Sequence, residues 1–121
     1  MSAAHHQLSN LICLVDINNQ QADGPSSQIL GFEPLADKWA SFGWHVQRAD
    51  GNDIDAVLAC FDVARGLADS LPRVILFDTR MGKGVPFLEE REKNHFIRVD
   101  PAEWQQAIAF VEANRVEGDP K

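Results

Sequence analysis

Hydrophobic residues along this chain change spacing every ten to twenty positions. Leu11 to Val15 is an unbroken apolar run, and beyond it lie four amides, Asn18, Asn19, Gln20 and Gln21, then Asp23-Gly24. A short apolar run bounded by turn chemistry predicts a buried strand. Asp16 to Gly31 reads as a long polar connection. Leu35, Trp39 and Phe42 then share one helical face over 34–42, with Pro34 suited to the first turn and Gly43 to the position just past the end. Trp44, Val46 and Arg48 alternate with His45 and Gln47, which predicts a second strand.

The second half repeats the alternation. Asp50-Gly51-Asn52-Asp53 is a turn that also supplies a helix cap. Ile54, Val57, Leu58, Phe61, Ala64 and Leu67 follow with helical spacing. Pro72 precedes a strong strand, Val74 to Phe77, and Asp78 to Val85 is a glycine-bearing loop. Asp100, Pro101 and Glu103 form a capping box with proline at the first helical position, and Trp104, Ile108 and Val111 line the last helix.

Strand and helix in alternation predict an α/β fold, a parallel sheet with helices on both faces. In such sheets ligands bind beyond the C-terminal ends of the strands, so chemistry is expected in the loops after Val15 and after Phe77. A strand that ends in amide oxygens is a place to hold a hard cation and the phosphate it carries.

Composition narrows the function classes. At 121 residues the chain is at most one domain, and its 45% hydrophobic and 24% charged fractions are ordinary for a globular protein. A net charge of −7 without any cluster of Lys and Arg argues against a nucleic-acid surface. No apolar run approaches the ~20 residues of a membrane span, and the first ten residues have no signal-peptide core. Cys13 and Cys60 read as buried free thiols, which makes the cytoplasm the expected compartment.

Three stretches carry a resemblance: AAHHQLSNLICLVDINNQQADGP, EPLADKWASFGWHVQRADGNDIDAV, and the strand Val74–Phe77 with its loop MGKGVPFLE. In order and spacing they resemble the thiamine-diphosphate-binding, N-terminal domain of transketolase-like enzymes, over roughly residues 1–95. The resemblance implies a partial thiamine-diphosphate-binding fold across 1–121, with 116–121 a disordered tail. It implies thiamine diphosphate and Mg²⁺ as cofactors. Asn18 takes the place of the asparagine that ligates Mg²⁺, and Gln20 that of the residue whose backbone carbonyl is another ligand. His95 falls where the family has a histidine facing the cofactor phosphate and the sugar substrate, although Asn94 and Phe96 flank it here instead of an aromatic residue and a glycine.

The family's signature opens with Gly-Asp-Gly, which would lie before Met1, and its catalytic glutamate belongs to another domain. The expectation is therefore a fragment, a split subunit or a truncated gene product. Two functions follow from that. One is a share in an enzyme that moves a two-carbon ketol unit between sugar phosphates, completed by other transketolase-like subunits or a homo-oligomer. The other is a non-catalytic assembly module that keeps the sheet without the chemistry.

Plainer readings stand beside these. Asn18 and Asn19 serve as ordinary turn residues. His5 and His6 form a helix-surface pair with one ring against the sheet. His45 is structural. Gly82-Lys83-Gly84 lacks the spacing of a phosphate loop. Residues 89–93 are a solvated charge run, and Asp50, Asn52 and Asp53 are turn and cap residues.

Overall fold

In the computed structural model residues 1–91, 94, 95 and 98–115 are described. The tail expected at 116–121 lies outside them. The elements are α1 (Ser2–His5), β1 (Ile12–Ile17), β2 (Gln20–Gln21), β3 (Gly24–Pro25), α2 (Ser26–Ile29), α3 (Leu35–Ser41), β4 (His45–Asp50), α4 (Ile54–Gly66), β5 (Arg73–Asp78), α5 (Pro86–Glu89) and α6 (Pro101–Ala113).

Three strands make a parallel sheet in the order β1-β5-β4. The central strand is the most apolar, and its Val74, Ile75 and Leu76 are fully buried. A parallel strand covered on both faces needs such a continuous run, and each of these side chains contributes about 1.5–3 kcal/mol by leaving water.

Alternate residues of β5 feed two cores. Val74 and Leu76 pack with Ile17 beneath Leu35, Ala36 and Trp39 of α3. Trp39 meets Trp44 edge-to-face, with ring centroids 4.9 Å apart. On the other face Ile75 and Phe77 pack with Cys60 and Ala64 of α4. The expected helices on both faces are thus α3 and α4.

Register brings the three strand ends together, since Ile17 and Asp50 both stand opposite Asp78. At the opposite end, the buried Arg73 guanidinium donates to the carbonyls of Ser9, Leu71 and Leu67. That one side chain ties the entries of β1 and β5 to the end of α4.

Several expectations need correction. The first strand begins at Ile12 and runs to Ile17, and it is an edge of the sheet: Leu14, in register with Ile75 of the α4 face, is 52% exposed. The second strand spans His45–Asp50. The connection 16–31 is not featureless. Its middle folds into the β2–β3 hairpin, with Gln20 opposite Pro25 and Gln21 opposite Gly24.

Phe42 stands past the end of α3 and is 48% exposed, so it leaves the face that Leu35 and Trp39 bury. Ile54 and Leu58 of α4, and Trp104, Ile108 and Val111 of α6, are also more than half exposed. Cys13 is only half-buried. His5 and His6 are both exposed, and because α1 ends at His5 their rings meet edge-to-face instead of one reaching the sheet.

Candidate functional site

The loops after β1 and β5 form one polar cleft at the C-terminal edge of the sheet, as the strand order requires. Its volume is about 410 Å³, and Asn18, Asn19, Gln20, Thr79, Arg80 and Arg91 are among its lining residues.

The first wall is the amide turn. Asn18 Oδ1 accepts the Gln20 backbone N–H at 3.0 Å, which folds the chain back on itself directly after the strand. Asn19 takes the left-handed conformation at φ +58°, which asparagine tolerates better than most residues. Its carbonyl accepts the Ser26 N–H at 2.9 Å and closes the hairpin.

The second wall follows β5. Thr79 donates its N–H to the Ile17 carbonyl at 3.0 Å and its hydroxyl to the Asp16 carboxylate. Asn52 Oδ1 accepts the Arg80 N–H at 2.8 Å, and the Gly51 N–H reaches the Asp78 carbonyl at 2.8 Å. The turn after β4 therefore braces the loop after β5. Gly51 is required for this approach: a Cβ there would lie 2.6 Å from Thr79 Cγ2 and 2.7 Å from Phe77 Cβ.

Both arginines of the cleft are paired with carboxylates, and Glu90 lines it as well. Arg80 meets Glu89 at 3.1 Å, and Glu89 also accepts the Gly84 N–H at 2.9 Å. Arg91 pairs with Glu103 in the first turn of α6. Residues 89–91 are consequently part of the cleft wall and not only a solvated run. Glu92 and Lys93, in the same run, lie outside the described residues.

Beside the cleft, Arg48 holds Asp78 through two 2.8 Å bonds and Glu33 through a third. The Arg48 hydrogen bond keeps both carboxyls below their ordinary range, and the two carboxylates in turn raise the guanidinium.

The predicted residues meet unequally. Asn18 and Gln20 share the turn and line the cleft. His95 is exposed and is not one of the lining residues. It follows Asn94, whose N–H donates to Gln20 Oε1 at 3.2 Å. The sequence reading missed Thr79, Arg80, Arg91 and Asn94. For the first two a signal existed, because they immediately follow the strand Val74–Phe77. For Arg91 and Asn94 only the tertiary fold supplies one.

The donor set suits a hard cation carrying phosphate: neutral oxygens from Asn18 and the turn backbone, with guanidinium groups across the cleft. Among the described residues no group of three His, Cys, Asp or Glu side chains converges to hold a metal ion.

Residues 1–109 match the family model for the transketolase thiamine diphosphate binding domain. The chain belongs to this family. Among curated relatives, an uncharacterised transketolase family protein, y4mO, of Sinorhizobium fredii is 58% identical over 113 residues, covering 93% of this chain and 40% of the relative. The 6-deoxy-6-sulfo-D-fructose transketolase subunit SqwG of Clostridium sp. is 38% identical over 112 residues, with the same coverage of 93% and 40%. The chain thus spans about 40% of the length of these relatives. Among solved structures, the transketolase of Pichia stipitis bound to sedoheptulose-7-phosphate superimposes with a TM-score of 0.75 at 25% identity, over 90% of this chain and 16% of that one. Transketolase-type domains of this family are α/β, and the parallel sheet described above is the same architecture.

Proposed function

We propose that this domain holds Mg²⁺ and the diphosphate of thiamine diphosphate at the Asn18–Gln20 turn, as part of an enzyme that transfers a two-carbon ketol unit between sugar phosphates. The observation that carries the reading is the turn itself. It closes the first strand of a transketolase-type sheet, places an amide oxygen at a cleft edge, and faces two arginines. Asn18 Oδ1 has a second lone pair beyond the one given to Gln20 N–H, so it can serve the turn and a cation together. The Gln20 backbone carbonyl would be a second ligand, and a hard cation held there would also take phosphate oxygens.

When bound, thiamine diphosphate supplies the carbanion chemistry of ketol transfer. This chain's share is binding and orientation. Arg80 and Arg91 attract phosphate, His95 contacts phosphate or a substrate hydroxyl, and Thr79 and Asn52 fix the loop that carries Arg80. The relatives named as subunits support a division of labour in which further transketolase-like subunits complete the active site. Two cysteines without a disulfide fit a reducing, cytoplasmic setting. Reconstitution tests this: the chain is mixed with polypeptides from neighbouring genes, Mg²⁺ and thiamine diphosphate, and ketol transfer to an aldose phosphate is followed. Transfer that needs this chain is expected. Its absence with every well-folded partner would refute the reading.

A non-catalytic assembly role has its own support in the open face around Leu14 and the exposed apolar row of α6. An assembly that forms with this chain but turns over equally well without it would favour that role.

A further inference from the structure

Gln20 contributes two different groups to the site. Its backbone N–H is held by Asn18 inside the turn, while its side chain leaves the turn and accepts the N–H of Asn94, 74 residues later. Asn94 is buried, and its Nδ2 donates to the Leu88 carbonyl at the end of α5. Its Oδ1 has no partner among the described residues. Residue 94 is therefore held by its two donors, one anchored on Gln20 and the other on Leu88.

We propose that the Gln20 side chain is a positioning residue, clamping the 94–95 segment to the Asn18–Gln20 turn and thereby setting His95 beside the cleft. The role given to His95 rests on the functional reading above, but the clamp itself does not. The turn and the histidine come from opposite ends of the described chain, and no regular element joins them directly. The Gln20–Asn94 bond runs from a cleft residue to the histidine segment. A methyl or thioether in place of the amide would keep the volume and leave the turn's backbone unchanged while removing the acceptor. A carboxylate would keep the acceptor.

Residue-resolved hydrogen exchange on the full chain tests the clamp in wild type, Gln20→Met and Gln20→Glu. A net hydrogen bond of ordinary strength predicts that the Asn94 amide exchanges about three- to tenfold faster in Gln20→Met. Gln20→Glu should restore protection to within about twofold, and the β5 amides should not change in either variant. If Gln20→Met does not fold, Gln20→Ser, too short to reach Asn94, takes its place with the same expected loss. Unchanged Asn94 protection without the acceptor overturns the proposal. So does an equal loss in the Glu variant, or a loss spread evenly through β5.

A parallel titration with Mg²⁺ and thiamine diphosphate, on the chain together with the partner that reconstitutes transfer, separates the two ideas. Added protection at Asn94 in wild type, and less in Gln20→Met, supports both. A clamp seen without cofactor, together with no response to cofactor, leaves the clamp standing and counts against the cofactor reading.

Discussion

Arg48 stands between two carboxylates at the rim of the site, and its protonation partners set a pH signature. All three side chains are more than a third exposed, so solvent screens the network and its contribution to stability is small. Its direction is still definite. Asp78 and Glu33 have folded-state affinities for the proton below those of the unfolded chain, because the Arg48 hydrogen bond favours their charged forms. Groups of this kind stabilise the fold above the unfolded carboxylate range near pH ~4, and the benefit disappears as pH falls below it through the lowered folded values. Arg48→Met should therefore lower Tm at neutral pH by about 1–5 °C. The gap from wild type should narrow as pH drops below ~4. Thermal scans from neutral to acidic pH check this, and a gap that stays constant throughout would contradict it.

Among the elements, the turn after β4 is the brace of the cleft. Gly51 lets that turn approach Thr79 and Phe77 closer than any Cβ allows. Gly51→Ala must push the β4 turn from the β5 loop, at a cost of about 1–3 kcal/mol typical of overpacking. Urea unfolding should show a lower midpoint with an unchanged slope. A midpoint equal to wild type would mean that the turn yields freely. Elements with strong local signals were readable without coordinates. The run Val74–Phe77 reads as a strong strand and is one, and the Asp100–Glu103 capping box forms as its spacing requires. Those that depended on neighbours were not readable. Nothing local in 16–31 announces that Gln20 pairs with Pro25, and helical spacing alone could not tell that Ile54 and Leu58 face away from the sheet. The site divides in the same way. Asn18 and Gln20 are visible as a polar break after an apolar strand, whereas Arg91 and Asn94 enter it only because α5 folds back over the β5 loop.

For the molecule as a whole, three parallel strands carry helices on opposite faces and a polar cleft at their shared C-terminal edge, in a chain of the transketolase thiamine diphosphate binding domain family. The half-exposed Leu14 and the apolar row of α6 are surfaces that a larger assembly would cover. The account turns on the Asn18–Gln20 turn as the seat of the metal and diphosphate. Calorimetric titration of thiamine diphosphate in the presence of Mg²⁺, on wild type and on Asn18→Ala, tests that seat most directly, using the chain together with the partner that reconstitutes transfer. Saturable, Mg²⁺-dependent binding that weakens at least about tenfold in Asn18→Ala is expected, a loss of ~1.4 kcal/mol or more. Equal affinity in the two proteins, or binding indifferent to Mg²⁺, would contradict the account.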